Sequence, residues 1–248
     1  PGCYAYSVAV VDVDFRINEH GKVTSHESSC TLNYIGTLHN QHANSFRRHF
    51  AYPFHEVKRF AAEKIGTFLN RVDVTDAYFG SSAYIDLIQD LQLKVSGANL
   101  SFSAPLFFNA SIEAGDIRVS NLFDLYRFED HLYTLLLTGE EIKNYLEMSY
   151  AAWTQQMHSP NDPMLLISPM KGNPERMGFK NFIFNFDSAA GIHYEVDVTK
   201  PEGDKVHILS MDDGKPFLMN ETYTVATTAY RAHAGGEPLT KGAGLPKA

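Results

Sequence analysis

The sequence predicts an α+β domain in which mixed sheets are flanked by helices. Three observations carry that expectation. Helical spacing of apolar residues dominates the first half of the chain. Strand-like runs then follow one another in the last quarter with no helix between them. The composition, 44% hydrophobic and 20% charged over 248 residues, is that of an ordinary globular chain long enough to bury a core without staples. A doubly wound α/β fold would alternate strands and helices throughout, and this chain does not.

Taken in order, Tyr4 to Phe15 alternates Val with small and polar residues and reads as a strand. Asn18-Glu19-His20-Gly21 reads as a hairpin turn, with Lys22 to His26 as the return strand. From about His39 to Asn70 the apolar residues fall near helical spacing, and Pro53, which lacks an amide proton, is expected to kink or split that helix. Ser81 to Val95 is a second helix with Tyr84, Leu87, Ile88, Leu91 and Val95 on one face. Asn99 to Ala104 is a short buried strand, and Pro105 to Gly115 is an aperiodic loop. Ser120 is a candidate N-cap for a short helix through Tyr126. His131 to Leu137 is a strand, and Thr138 with Glu141 forms a capping box that opens a helix to about Gln156. Met157 to Lys180 is one long irregular insert. Strand signals close the chain at Phe182 to Phe186, Ile192 to Val198, Val206 to Met211 and Thr222 to Thr227.

The formal net charge of -8, with no long run of like charge, argues against a nucleic-acid surface or a membrane-binding basic face. A small anionic ligand stays open, because one local Arg outweighs a diffuse negative field. Cys3 and Cys30 lack metal-ligand spacing, and either one disulfide or two free buried thiols fits them. No run reaches transmembrane length. Both ends read as cut points in a longer protein.

Eleven histidines invite a metal reading, with His39 beside His42 and His49 near His55. No carboxylate or third His accompanies them at ligand spacing, so surface or core histidine is the simpler account. No Ser sits on a strand-to-helix elbow, which leaves a hydrolase triad without support. The apolar loop Pro105-Leu106-Phe107-Phe108-Asn109 either plugs the core or lines a small-molecule pocket.

Several longer runs are similar to the C-terminal domain of the 5'-nucleotidase family, and in particular to its 2',3'-cyclic-nucleotide 2'-phosphodiesterase branch. The first run is Ala114 to Phe128, continuing through His131-Leu132-Tyr133 and Leu137 to Lys143 and extended by Tyr145 to Ser149. The second joins Asn185-Phe186-Asp187 to Gly191 through Thr199, and the third joins Tyr223 through Ala232 to Gly235-Gly236. Phe102-Ser103-Ala104-Pro105 and Ser82-Ala83-Tyr84 match two further short elements of that branch. The resemblance runs through nearly the whole chain in the right order.

The resemblance implies residues 1–30 as the edge of a metallophosphoesterase domain with its linker, and residues 31–248 as the substrate-binding C-terminal domain, truncated at its end. It implies a parent enzyme that hydrolyses 2',3'-cyclic, 3'- or 5'-nucleotides in the periplasm or outside the cell. Two divalent metal ions activate water in the family's N-terminal domain, whose motifs are absent here, so no cofactor and no catalytic residue is expected in this chain. The expected partners are a nucleotide or nucleoside and that N-terminal domain, with no nucleic-acid polymer and no membrane span. In the family the C-terminal domain stacks the base between two aromatic rings, and the first ring lines up with Phe128. For the second, the position after the glycine pair falls near Leu239, with Tyr230 or His233 as the other choices. The remaining candidate substrate-binding residues are Ser103, Pro105, Phe107, Asn109, Arg231, Gly235, Gly236 and Glu237. Asn109 stands where the nucleotidase branch has an Arg, which favours the cyclic-phosphodiesterase branch. Arg231 reads either as a ligand-facing cation or as an ion-pair partner. Two other classes stay in view: a structural or dimer-contact domain that has lost nucleotide binding, and an independent enzyme using His131 or His233 as base.

Overall fold

The computed structural model describes residues 7–34 and 43–246, and the chain divides into two compact units, residues 1–59 and 60–248. The first unit contains an antiparallel hairpin of β1 (Ser7–Ile17) and β2 (Val23–Tyr34), in register from Ser7 opposite Tyr34 to Arg16 opposite Ser25. Asn18 closes the turn, its Oδ1 accepting from the amides of His20 at 3.0 Å and Lys22 at 2.9 Å. The return strand runs eight residues beyond the expected His26, because the ladder to β1 supplies hydrogen bonds that the Ser-rich stretch would not seek by propensity alone.

Helix α1 (Ala43–Ala61) holds Pro53 within its span. The apolar spacing predicts this helix on to Asn70, and the structure corrects it: Lys64–Phe68 is strand β3. Antiparallel pairing with β7 (Gly115–Arg118) overrides the helical spacing there; Gly66 weakens a helix, and β-branched Ile65 and Thr67 favour the extended form. His39 and His42 lie outside the described residues, as does Cys3, while His49 and His55 are exposed on α1.

The second unit is built on a mixed sheet of β11 (Ser188–Ala190), β5 (Leu100–Ser103), β14 (Thr222–Thr228) and β8 (Leu132–Thr138), in that order. Strands β5 and β14 run parallel, with Val225 opposite Leu100, and the other two pairings are antiparallel. Smaller two-stranded sheets join β4 (Val72–Asp73) to β6 (Ser111–Ile112), β9 (Ile167–Met170) to β10 (Asn173–Phe179), and β12 (Ile192–Val196) to β13 (Val206–Met211). This is the mixed-sheet α+β architecture that the sequence predicts. The loop over 105–115 and the insert over 157–180 are therefore less irregular than expected, since each contains short paired strands.

Helix α2 (Ala83–Ser96) starts on Ser82, whose hydroxyl accepts from the Ile85 amide. Its buried face differs from the expected one. Tyr84, Ile85, Ile88, Gln89 and Gln92 point inward, while Leu87, Leu91 and Val95 lie on the exposed side. The glutamines are inside because the sheet gives them partners: Gln89 donates to Ser188 O at 2.8 Å, and Gln92 accepts from Ser101 Oγ at 2.6 Å.

Helix α3 (Val119–Leu125) follows Arg118, not Ser120. Asn121 Oδ1 accepts from the Arg118 amide at 2.9 Å and fixes the start earlier than expected. Helix α4 (Gly139–Trp153) opens on the predicted capping box. Thr138 N donates to Glu141 Oε2 at 2.7 Å, and Glu141 N donates to Thr138 Oγ1 at 3.3 Å. Tyr145, Leu146 and Trp153 of α4 join Leu100, Phe102 and Val225 of the sheet in the main core. Residues 182–186, expected as a strand, instead carry a 3-10 turn at Ile183–Asn185, and Phe186 just after it is fully buried in that core. Helix α5 (Ala229–Ala232) is a single turn continuing directly from β14.

Candidate aromatic and arginine site

The pairing of β14 with β8 brings the candidate site together. Thr228 at the end of β14 lies opposite Leu132 at the start of β8. Just beyond the ladder, the Ala229 amide donates to His131 O at 2.8 Å. The segments that carry Phe128 and Tyr230 therefore meet at one end of the central sheet, although 102 positions separate them in sequence. Both rings stand out of the core, Phe128 at 58% and Tyr230 at 47% exposure. An exposed Phe and an exposed Tyr at one loop junction offer flat apolar faces to a planar ligand.

The surroundings of each ring are fixed. Tyr126 meets Phe128 edge-on with centroids 6.3 Å apart, and its hydroxyl faces Asp130 at 3.3 Å. Burial, and then the Asp130 charge, push the Tyr126 hydroxyl up to about 12. On the other side Gly235 packs beneath Tyr230: a Cβ there would come within 2.6 Å of the Tyr230 ring. Only glycine lets the ring lie in that position. Gly236 has φ of +71°, and a Cβ on it would press on Asn185 Oδ1 and reach 2.5 Å from Arg231 Nη1.

Of the two roles open to Arg231, the structure has the ion-pair partner rather than the ligand-facing cation. Its side chain is 4% exposed and its partner Asp187 is 2% exposed. Nε donates to Asp187 Oδ2 at 2.5 Å and Nη2 to Asp187 Oδ1 at 3.0 Å. Nη2 also donates to Phe184 O at 2.6 Å, and Nη1 to Asn185 Oδ1 at 3.0 Å and Gly235 O at 2.9 Å. These bonds occupy all five N–H donors of the guanidinium, so none remains for a bound molecule. The Tyr145 hydroxyl completes the network by donating to Asp187, and burial followed by the Asp187 charge hold that phenol well above its ordinary value. Arg231 thus ties residues 184–187 to the loop that carries Tyr230.

The other sequence candidates divide. Ser103 and Pro105 are buried and present no surface. Phe107 is half-buried: its carbonyl accepts from the Tyr78 hydroxyl, and its ring lies 4.2 Å from the Arg127 guanidinium carbon. Asn109 is exposed, and Glu237 is half-buried with φ of +68°. Leu239 is buried in the core, which removes it as a stacking surface. His233 is exposed, contacts Tyr133 edge-on at 5.5 Å and lies 2.7 Å from Ala229 O through Nδ1.

Two groups escape the sequence reading. Arg127 is exposed, lies over the Phe107 ring and directly precedes Phe128 in the chain, and its place inside the quoted run beside an aromatic is the available signal. Phe182 and Phe184 stack at 5.1 Å with an 11° tilt, and Phe184 meets Tyr230 edge-on at 6.2 Å. A strand assignment conceals them. Among the described residues, no group of three or more His, Cys, Asp or Glu is placed to hold a metal ion, and no helix is long and apolar enough to cross a membrane.

Comparison with known proteins agrees with this architecture. The "Trifunctional nucleotide phosphoesterase protein YfkN" of Bacillus subtilis is 33% identical over 141 residues, 52% of this chain and 9% of that protein. The "2',3'-cyclic-nucleotide 2'-phosphodiesterase/3'-nucleotidase" of Salmonella typhimurium is 31% identical over 137 residues, 50% of this chain and 20% of that protein. The chain thus spans a fifth or less of the length of these two relatives. The solved 5'-nucleotidase precursor from Thermus thermophilus shares the fold with a TM-score of 0.57 at 17% identity, over 93% of this chain and 41% of that one. A family model, the 5'-nucleotidase C-terminal domain, matches residues 62–241, well over half of the sequence. The chain belongs to the 5'-nucleotidase C-terminal domain family.

Proposed function

We propose that this chain supplies the nucleoside-binding surface of a metal-dependent phosphoesterase, with Phe128 and Tyr230 as the two rings that hold the base. One observation supports the reading: the Thr228–Leu132 pairing joins, at one end of the sheet and inside the matched residues, the two distant segments on which these exposed rings are carried. Each stacked ring is worth about 1–3 kcal/mol to a bound base, enough for weak nucleoside binding by the chain alone. Arg127 is the exposed cation beside this surface and would face the sugar or phosphate side.

The parent enzyme would act on 2',3'-cyclic, 3'- or 5'-nucleotides in the periplasm or outside the cell; the names of the relatives support the substrate class. Its two divalent ions would belong to a metallophosphoesterase domain, with residues 1–30 at the edge of that domain and residues 31–248 as the substrate-binding domain. Residues here would bind and orient the substrate, and the ions would activate the attacking water.

Two measurements test this reading on the chain itself. Isothermal calorimetry should show saturable adenosine binding, while 3'-AMP formation from 2',3'-cyclic AMP and phosphate release from 3'-AMP and 5'-AMP should stay at the blank rate with Mn or Zn added. Absence of adenosine binding would remove the clamp. Metal-dependent turnover would overturn the assignment of the chemistry to another domain.

A further inference from the structure

A concave site lies apart from the aromatic pair. A cavity of about 550 Å³ opens between the N-terminal half of α2, the C-terminal end of α4 and the segment from β11 to β12. None of Phe128, Tyr230, Arg127 or Phe107 lines it. Its size falls in the range of sites that take small organic molecules.

The lining has a consistent chemistry. Tyr150, Trp153 and Tyr194 form an aromatic wall. The hydroxyls of Tyr150 and Tyr194 bond each other at 2.7 Å, and the Tyr194 oxygen also accepts from the Ala189 amide at 3.2 Å, so these polar ends are engaged and the rings remain. Trp153 is 2% exposed, and its indole Nε1 has no hydrogen-bond partner. Asp86, Asp90 and Asp212 also line the cavity, whereas no Lys or Arg does. Asp86 accepts from Ser81 Oγ at 3.0 Å, and Asp212 lies 3.7 Å from His193 Nε2. A phosphate placed here would meet three carboxylates and no Lys or Arg to neutralise it. A protonated amine would meet those carboxylates while its apolar body lay against the aromatic wall.

We infer that this cavity binds a small organic cation with a flat apolar body and no phosphate. The site is independent of the nucleoside clamp, and it adds a second ligand class to the domain.

Trp153 is the chain's single tryptophan, so its fluorescence reports on this wall alone. The test titrates the whole chain with benzylamine and with benzyl alcohol, its neutral counterpart, following Trp153 emission and, in parallel, calorimetric heat. Benzylamine should give a saturable response, and benzyl alcohol should bind about fivefold or more weakly, the scale of a few partly exposed charge contacts. Asp86→Asn with Asp90→Asn should weaken benzylamine by about fivefold to tenfold and leave the alcohol unchanged. Phe128→Ala should leave benzylamine binding intact, so failure of the clamp reading would not disturb this result. Absence of saturable benzylamine binding by both readouts, equal binding of the alcohol, or loss of benzylamine binding in Phe128→Ala would each overturn the proposal.

Discussion

Replacing Arg231 with Met separates a structural arginine from a ligand-binding one. The side chain is 4% exposed and directs all five donors to protein acceptors, two of them to the Asp187 carboxylate. Its removal leaves Asp187, itself 2% exposed, with the Tyr145 hydroxyl as its remaining side-chain donor. It also strips donors from Phe184 O, Asn185 Oδ1 and Gly235 O. Breaking a buried ion pair on one side costs about 3–5 kcal/mol. For a unit of this size that is a fall in Tm of roughly 6–20 °C. Adding Asp187→Asn to Arg231→Met removes the stranded charge, so the double variant should be more stable than Arg231→Met alone. Urea unfolding followed by circular dichroism and by Trp153 fluorescence gives both comparisons. An Arg231→Met protein within about 1 kcal/mol of the parent that has lost adenosine binding would overturn the structural role of Arg231, since that pattern belongs to a surface cation acting on the ligand.

Gly235→Ala should lower adenosine affinity beyond its effect on stability, because the added Cβ would come within 2.6 Å of the Tyr230 ring and must move it; calorimetry set beside the melting temperature reads the two effects separately. Alkaline pH should unfold the second unit. Tyr145, Tyr150 and Tyr194 are held above their ordinary pKa first of all by burial, so their contribution is complete below about pH 10 and is lost as pH rises beyond it. Tyrosinate absorbance should then show a late phase coincident with loss of the circular dichroism signal. On the acid side, Asp73 and Asp197 are held below the usual carboxylate range chiefly by the hydroxyls of Thr75 and Thr199. Their contribution is complete above roughly pH 4 and falls as pH drops through the folded values, and Thr75→Val with Thr199→Val should flatten that decline in a pH series of melting temperatures.

The elements most legible in the sequence are those whose signals are local. The Thr138–Glu141 capping box needs only its own residues, and it opens α4 where the spacing says it should. The hairpin turn at Asn18 is equally local. Errors arise where distant partners decide. Gln89 and Gln92 look like surface residues until the sheet offers Ser188 and Ser101, which rotates α2 and leaves Leu91 and Val95 outside. Lys64–Phe68 reads as helix until β7 pairs with it. The site shows the same division. Phe128 is legible by resemblance and stands exposed, whereas the task of Arg231 depends on Asp187 and Asn185, which only the fold brings near. Phe184 and Arg127 stay hidden because their contacts to Tyr230 and Phe107 cross between elements.

On the proposed function, Phe128 and Tyr230 hold a nucleobase between them. Calorimetric titration of adenosine into the intact chain, Phe128→Ala and Tyr230→Ala tests it most directly. Loss of either ring should weaken binding by about 1–3 kcal/mol, a factor of roughly five to 150, while each variant stays folded. Equal affinities for all three proteins, with folding confirmed by circular dichroism, would contradict the account.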